Sequence, residues 1–261
     1  MRGLAGKTFI IAGGATGIGA GTALRLAEEG ANVVVGDLNI DGANATAERA
    51  NRVAAGTAAA VAIGFDLADD ESVHALVART LDRFGAVHGL FNVGADLRPD
   101  NIGRDITALD TDLDVWQRTL DVNLLGYVRT ARAVLPHLLA QGAGSIVNTS
   151  SGAAVSAGSD GKRPAYAASK SAVNAFTRHL ARNYGPKGVR SNGVMPGLVM
   201  AETTLAQNDT AMQQMFLAQV PTTRLGRPSD LAAVVAFLLS DDAEWINGQV
   251  WAVDGGANMR A

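Results

Sequence analysis

The chain alternates short apolar runs with longer amphipathic segments, and this alternation limits its possible folds more than any other feature. Strands that are buried on both faces have continuous apolar sequences, whereas half-exposed strands alternate apolar and polar residues. Repeated strand–helix units of this kind predict a parallel sheet with helices on both sides. Because crossover connections are right-handed, we expect an α/β fold with a doubly wound sheet.

Seven strands are predicted from these runs. They span residues 8–12, 32–36, 59–65, 87–93, 145–149, 189–195 and 249–253. The predicted helices are one that ends near residue 29 and those at 41–54, 69–84, about 112–140, 164–184 and 229–239. No repeat, low-complexity tract or linker interrupts the pattern, so we predict a single domain over residues 1–261. The segments of about 96–111 and 198–223 are longer than connections require, and we expect them to be substrate loops.

The composition excludes several classes of function. The 261 residues carry a formal net charge of −3, 48% are hydrophobic, 18% are charged and none is cysteine. These values argue against disorder, and the lack of cysteine rules out disulfides, thiolate metal sites and a cysteine nucleophile. The mild acidity offers no electrostatic footprint for nucleic acid, and no apolar stretch is long enough to span a membrane. The N-terminal sequence lacks a signal-peptide core, so we expect a soluble cytoplasmic protein.

A glycine-rich turn follows the first predicted strand, where residues 13–19 read Gly-Gly-Ala-Thr-Gly-Ile-Gly. Glycine lets the backbone turn tightly and approach a diphosphate, which the N-terminus of the next helix would bind. Glycine spacing alone also fits an ordinary strand–helix turn. The context favours a Rossmann-type dinucleotide site, because Asp37 ends the second strand about 20 residues later. A carboxylate there accepts the adenosine ribose hydroxyls and repels a 2′-phosphate, so we predict NAD over NADP.

Tyr166 and Lys170 lie four residues apart at the start of the helix after the fifth strand, which places both on one helical face. A phenol is a poor base near pH 7, because its reference pKa is about 10. A neighbouring lysine ammonium and the positive charge of an oxidised nicotinamide would both lower that pKa. As an isolated match, this pair is also common on protein surfaces. Ser151, at the end of the fifth strand, and Asn123, in the preceding long helix, can reach the same edge of the sheet.

Taken in order, these motifs resemble those of the short-chain dehydrogenase/reductase family over essentially the whole chain. The resemblance is carried by Gly13-x-x-x-Gly17-Ile18-Gly19, Asp37, Asp66-Leu67, Asn92, Val122-Asn123-Leu124-x-Gly126, Ser150-Ser151, Tyr166-x-x-x-Lys170, Pro196-Gly197 and Val253-Asp254-Gly255-Gly256. Each piece is modest, but the set in this order and spacing is specific.

The resemblance implies a catalytic tetrad of Asn123, Ser151, Tyr166 and Lys170. Tyr166 would be the general acid/base, Lys170 would lower its pKa and hold the nicotinamide ribose, and Ser151 would orient the substrate oxygen. The backbone of Asn123 would hold a water that links Lys170 to solvent. Ser150 is adjacent, and we choose Ser151 because the family's serine is usually the second of such a pair.

The resemblance also implies a set of cofactor-binding residues. They are Gly13, Thr16, Gly17, Ile18, Gly19, Asp37, Leu38, Asp66, Leu67, Asn92, Val93, Gly94, Tyr166, Lys170, Pro196, Gly197 and Val199. Asp66 and Leu67 would contact adenine, Asn92 would hold the strand edge near the adenosine ribose, and the Val199 backbone would bind the carboxamide.

The chain departs from the family pattern at several positions. Ala12 replaces a usual threonine, and residues 92–95 read Asn-Val-Gly-Ala instead of Asn-Asn-Ala-Gly. Ala201 occupies a position that often holds a threonine, and Thr203 or Thr204 would replace it only if the loop shifts. The interval from Ser151 to Tyr166 is longer than usual.

We therefore expect an NAD-dependent oxidoreductase that transfers a hydride between NAD and a secondary alcohol or ketone. The apolar loop residues suggest a hydrophobic or cyclic substrate; these are Leu97, Leu198, Met200, Leu205, Met212, Met215 and Phe216. Alternatives are a 3-oxoacyl-thioester reductase, a dihydrodiol dehydrogenase or a catalytically silent NAD-responsive binding protein. The stereochemistry and physiological direction of the reaction stay open.

Three further expectations concern partners. The four histidines show no paired spacing, so we predict no metal site. The basic loop residues Arg98, Arg104, Lys162 and Arg163 are either solvated or recognise an anionic substrate group. In the family, the helices after residues 112 and 164 pair between subunits, which implies a homotetramer, less often a dimer.

Overall fold

The computed structural model describes residues 1–157, 161–201, 210–218 and 220–259. The strands are β1 (Thr8–Ala12), β2 (Asn32–Asp37), β3 (Ala60–Gly64), β4 (Gly89–Asn92), β5 (Gly144–Thr149), β6 (Val189–Pro196) and β7 (Val250–Val253). The helices are α1 (Gly17–Glu28), α2 (Ile40–Val53), α3 (Asp70–Phe84), α4 (Pro99–Ile102), α5 (Leu113–Leu120), α6 (Gly126–Gln141), α7 (Pro164–Tyr184), α8 (Thr210–Leu217) and α9 (Pro228–Leu239). Short 3₁₀ turns occupy Gly152–Ala154, Gly185–Lys187 and Asp241–Ala243.

The strands form one seven-stranded sheet in the order β3-β2-β1-β4-β5-β6-β7. Every neighbouring pair is parallel. The predicted α/β, Rossmann-type doubly wound sheet is therefore confirmed. The strand order reverses between β1 and β4, and ligands of such sheets bind in the crevice beyond the carboxyl ends of the strands at this point.

Alternate residues of the central strands enter separate hydrophobic cores on the two faces of the sheet. Phe9 and Ile11 of β1 pack in the core that is covered by α1, α2 and α9. Ile10, between them, packs in the opposite core, which α3, α6 and α7 cover. Burial on both faces explains why the strands have continuous apolar sequences.

The helix predicted at about 112–140 has an interruption that the sequence pattern does not show. A π-helical segment, Asp121–Leu125, joins α5 to α6 and contains Asn123. Its end is marked by the N–H of Gly126, which donates to the carbonyl of Asp121 five residues earlier. Single π turns inside α-helices are frequent at functional sites.

Candidate active site

The glycine turn is tightly packed at the end of β1. Gly13 has a φ of +108°, and a Cβ at this position would lie 2.3 Å from the backbone nitrogen of Gly94. A Cβ on Gly19 would lie 2.0 Å from the carbonyl oxygen of Gly13. Within the described chain, the exposed Thr16 side chain caps no N–H of α1. The first turn of α1 therefore keeps N–H groups available to an anion, which fits a dinucleotide diphosphate.

Asp37 ends β2 beside this turn. Its carboxylate accepts hydrogen bonds from the backbone N–H groups of Ala15, at 2.9 Å, and Asn39, at 2.9 Å. These contacts fix the carboxylate against the glycine turn. Leu38, the next residue, is 63% exposed. An oriented carboxylate with further lone pairs fits a ribose diol at this position.

In the turn after β3, Asp66 bonds the backbone of the turn, whereas the side chain of Leu67 is buried. The Asp66 carboxylate accepts from the Ala68 N–H at 2.8 Å. The Leu67 side chain is buried, and Cβ atoms built on Gly94 and Gly126 would meet it at 2.8 Å. Leu67 therefore packs this turn onto the core, and the adenine contact expected of Asp66 and Leu67 stays a prediction.

Asn92 belongs to a buried polar network that joins both strands and helices around the site. Its Nδ2 donates to Asn148 Oδ1 at 2.9 Å, and its Oδ1 accepts from the Thr130 hydroxyl at 2.8 Å. Asn148 in turn donates to the Thr177 hydroxyl at 3.1 Å. The network links α6, β4, β5 and α7. It holds the helix that carries Tyr166 at a fixed distance from the helix that follows Asn123.

The nicotinamide side of the predicted site lies at the end of β6. The N–H of Gly197, just after Pro196, donates to the Val253 carbonyl at 3.3 Å. Val199 forms an isolated parallel bridge with Gly226. The built Cβ of Gly17 lies 3.4 Å from Ala201, so this segment reaches the glycine turn. Thr203, Thr204 and Leu205 lie outside the described residues.

Tyr166 and Ser151 meet at the end of β5. Burial raises the pKa of Tyr166, while a hydrogen bond with the Ser151 hydroxyl and the positive charge of Arg163 act in the opposite direction. The neighbouring Ser150 is buried, and its hydroxyl donates instead to the Lys170 carbonyl at 3.4 Å. The geometry thus brings Ser151, rather than Ser150, to the phenol.

Lys170 is 1% exposed. Its Nζ donates to the Thr149 carbonyl at 2.9 Å and to the Tyr127 hydroxyl at 3.3 Å. Burial lowers the pKa of Lys170 to about 7. Nζ also lies 5.9 Å from the centroid of the Tyr166 ring. The lowering of the Tyr166 pKa that we expect from Lys170 stays a prediction, because burial favours the uncharged form of both groups.

Asn123 lies completely buried in the π segment. Its Oδ1 accepts from the Asp96 N–H at 2.9 Å, and its Nδ2 donates to Ser169 Oγ at 3.4 Å. Ser169 is adjacent to Lys170, so this side chain connects the segment after β4 to the catalytic helix. The structure therefore brings the four predicted tetrad residues to the carboxyl ends of β4 and β5.

Two residues that the sequence analysis did not select also contact this site. The buried Asp105, from the loop after β4, accepts from the N–H groups of Ala165 and Tyr166. Tyr127 contacts Lys170, as described above. The only available sequence signal for Tyr127 was its position four residues after Asn123 on a helix. Asp105 offered none, because its partners lie 60 residues away in the sequence.

Two of the four basic loop residues are neutralised by carboxylates. The Nε and Nη2 atoms of Arg98 form a bidentate salt bridge with the two carboxylate oxygens of Asp96, at 2.9 and 2.7 Å. Arg104 forms salt bridges with Asp112 and Asp114. The Arg163 charge instead acts on Tyr166. Among the described residues, no three His, Asp or Glu side chains are placed to hold a metal ion. No helix of the described chain is both long and apolar enough to cross a membrane.

Three comparisons relate this chain to known proteins along most of its length. Residues 13–258 match a family model described as enoyl-(acyl carrier protein) reductase. A probable short-chain type dehydrogenase/reductase of Bradyrhizobium diazoefficiens is 42% identical over 96% of this chain and 87% of its own length. The 7α-hydroxysteroid dehydrogenase of Bacteroides fragilis is 33% identical over 97% of this chain and 95% of its own length. The crystal structure of levodione reductase superposes with a TM-score of 0.88 and 31% identity, covering 96% of this chain and 97% of that one.

Proposed function

Because the chain belongs to the short-chain dehydrogenase/reductase family, we propose that this oxidoreductase interconverts secondary alcohols and ketones with NAD as cofactor. One observation carries the proposal: Ser151, Tyr166 and Lys170 converge beside the switch point of the sheet. We further propose that residues 1–261 act as one nucleotide-binding domain, with substrate loops at about 96–111 and 198–223.

Tyr166 is the residue that moves the proton. When bound, the cofactor supplies the hydride acceptor or donor at its nicotinamide ring. In oxidation, Tyr166 Oη takes the hydroxyl proton of the alcohol, and in reduction it returns that proton to the carbonyl oxygen. Ser151 donates a hydrogen bond to the same substrate oxygen and fixes its distance from Tyr166. Lys170, held by Thr149, stabilises the phenolate that forms.

NAD preference rests on Asp37. The backbone N–H groups of Ala15 and Asn39 hold its carboxylate next to the position that an adenosine ribose would occupy. A 2′-phosphate would meet this negative charge at close range, so binding of NADP is disfavoured. Steady-state kinetics with both cofactors test the assignment, and a clear preference for NADPH would contradict it.

The proposed substrate is a hydrophobic, uncharged alcohol or ketone. Among the loop residues, Leu97 and Met215 are more than half exposed, and Leu198, Met200 and Phe216 are partly exposed. Arg98 and Arg104 are paired with carboxylates and offer no free charge to an anionic group. One of the relatives above is named for a hydroxysteroid, which is an alcohol on a fused ring system.

A 3-oxoacyl-thioester reductase is the second candidate. The description of the matching family model, which names an acyl carrier protein, favours it. Recognition of an anionic group on such a carrier would use basic residues near the site entrance. Arg163 also acts on Tyr166, so Arg163→Ala is judged by the ratio of the two activities. It would weaken reduction of an acyl-carrier thioester more than that of a neutral ketone, and an unchanged ratio would contradict the thioester candidate.

The test of the main proposal is a fluorescence screen for NADH formation or consumption with alcohols and ketones. The Tyr166→Phe variant serves as the blank, and Tyr184→Phe, at the far end of α7, is the matched control. We expect turnover by the wild type and by Tyr184→Phe, and a loss of about 100-fold or more in Tyr166→Phe. Full activity of Tyr166→Phe would contradict the assignment. Absence of turnover by the wild type with every substrate would instead favour a binding protein that responds to NAD without catalysis.

We also propose a homotetramer. Ala131 and Ala133 of α6 are buried inside the chain, so they are not available to a second subunit. Leu113, the first residue of α5, is 75% exposed, and Leu109, four residues before it, is 92% exposed. These exposed apolar side chains favour an interface at this end of the helix. Light scattering tests the proposal, and a monomer would contradict it.

A further inference from the structure

Tyr127 is the bulkiest of the completely buried side chains in the described part of the protein. It lies in the first turn of α6, directly after the π segment that contains Asn123. A buried tyrosine hydroxyl needs a hydrogen-bond partner, because an unpaired one would retain its desolvation penalty. The Nζ atom of Lys170 donates to this hydroxyl at 3.3 Å.

Lys170 is held from two sides of the site. Its Nζ contacts the Thr149 carbonyl on β5 and the Tyr127 hydroxyl on α6, and it lies 5.0 Å from the centroid of the Tyr127 ring. The ring and the hydroxyl oxygen of Tyr127 both favour a positive charge at Nζ. This contact works against burial, which lowers the pKa of Lys170.

Among the residues that the structure describes, the titratable groups facing this ammonium are two tyrosines. Tyr127 comes from α6, and Tyr166 comes from α7, the helix that carries Lys170 itself. The charge of Arg163 acts on Tyr166. Burial is the cause of the lowered Lys170 pKa. At such a buried site, each group that accepts a hydrogen bond from Nζ has a large influence on the charge of Lys170.

We propose that Tyr127 is a positioning residue that keeps the Lys170 ammonium charged and directed for the reaction at Tyr166. The effect on turnover rests on the function proposed above, whereas the contact between Tyr127 and Lys170 does not. Tyr127 is not a second general acid/base. It is 0% exposed, burial raises its pKa well above the usual value, and a substrate does not reach its hydroxyl.

The effect of Tyr127 on the Lys170 pKa comes from a difference in hydrogen-bond strength between the charged ammonium and the neutral amine. The charged ammonium donates to the phenol oxygen, and hydrogen bonds to charged groups are stronger than those between neutral ones. Removal of the hydroxyl therefore costs the ammonium more than it costs the neutral amine, and the pKa of Lys170 falls further. Less ammonium then remains to stabilise the Tyr166 phenolate.

The test compares Tyr127→Phe with Tyr184→Phe. Tyr184 is a matched control, because its ring too lies near a lysine, 5.9 Å from Lys187 Nζ, but outside the site. Nitrogen-15 NMR titration of the lysine side chains in the cofactor-free protein gives the pKa of Lys170, with Lys170→Met for assignment. We expect Tyr127→Phe to lower this pKa by about half a unit or more, and Tyr184→Phe to leave it unchanged.

Kinetics provide the second readout. For oxidation of an alcohol near pH 7, where Lys170 is about half charged, we expect Tyr127→Phe to lower kcat about twofold or more and to leave KM for the alcohol unchanged. A folded Tyr127→Phe protein with an unchanged Lys170 pKa would overturn the proposal. If Tyr127→Phe does not fold, Tyr127→Met, which also lacks the hydroxyl but adapts to the cavity, decides by the same titration. A wild type without any dehydrogenase activity would contradict the proposed function alone, since the Lys170 titration still decides the role of Tyr127.

Discussion

The carboxylate of Asp105 accepts a hydrogen bond from the backbone N–H of Tyr166 at 2.8 Å. Its other oxygen accepts from the N–H of Ala165 at 3.1 Å. A buried residue of the loop after β4 thus caps the helix that carries the proposed acid/base. Arg163, the residue directly before α7, has a φ of +70°, and in the described structure its side chain caps no N–H group of the helix. Asp105 replaces the local cap and aligns the first turn of α7.

Removal of this cap is expected to reduce both stability and turnover. Asp105→Ala leaves one buried and one partly buried N–H group unpaired, which costs about 1–3 kcal/mol in free energy of unfolding. Because Tyr166 then loses its alignment, kcat falls more than the KM for NAD rises. Denaturant unfolding and steady-state kinetics measure the two effects. Asp110→Ala, on an exposed side chain of the same loop, is the control, and equal behaviour of the two variants would contradict the prediction.

Substitution of Asp37 is expected to change cofactor preference. Asp37→Asn removes the negative charge but keeps the shape of the side chain. We expect kcat/KM with NAD to fall about 10- to 100-fold, as the loss of hydrogen bonds to a charged group predicts, and discrimination against NADP to weaken. Asp41→Asn removes an equal charge in the first turn of α2 and controls for the general field. The prediction fails if both variants retain the same ratio of NAD to NADP efficiency.

Lys170 is expected to limit stability at neutral and acidic pH. Its folded-state pKa of about 7 is lower than the unfolded value near 10.5, so the unfolded chain binds more protons between these values. The cost of burying the charged Lys170, on the order of 5 kcal/mol, is complete below pH 7 and disappears as the pH rises towards 10.5. Lys170→Met leaves Thr149 and Tyr127 without their partner, which offsets part of the gain. We expect inactive Lys170→Met to melt higher than the wild type at pH 6.

That difference in melting temperature should shrink between pH 7 and pH 10. Thermal unfolding across this range measures it in the cofactor-free protein. Lys187→Met, on an exposed lysine after α7, should show no such trend. A difference that stays constant with pH would indicate that Lys170 is not destabilised by its charge.

Asp96 is expected to stabilise the segment next to Asn123. Burial would raise the pKa of Asp96, but hydrogen bonds from Arg98 and Arg118 lower it below the usual value. Its stabilising contribution is therefore present above about pH 4 and is lost as the pH falls through the lowered pKa. Asp96→Asn should lower the free energy of unfolding by about 1.5–3 kcal/mol at pH 7.

The control for this prediction is Asp100→Asn. Asp100 is exposed and makes a single 3.3 Å contact with Arg118, so its substitution should change the free energy of unfolding by less than about 1 kcal/mol. Urea unfolding at pH 7 and pH 3 compares the variants with the wild type. A loss that is equally large at both values would exclude the charge of Asp96 as its cause.

The sequence by itself determined the sheet and the approximate place of the site. Burial on both faces requires continuous apolar strands, so β1, β2 and β5 could be located within one or two residues. The glycine turn and the pair of Tyr166 and Lys170 were visible because their spacing along the chain reflects local geometry. Parallel strands end at one edge of the sheet, which brought these motifs together without knowledge of the packing.

Only the tertiary structure decided which groups surround the glycine turn and the pair of Tyr166 and Lys170. The contact between Tyr127 and Lys170 joins α6 to α7, and the cap that Asp105 supplies comes from 61 residues before Tyr166. The π segment around Asn123 has the same apolar pattern as an α-helix, so periodicity does not distinguish them. The pairing of Arg98 with Asp96 and the burial of Lys170 likewise depend on neighbours in space. Electrostatic energies depend on burial and on distances between side chains, and neither can be obtained from spacing along the chain.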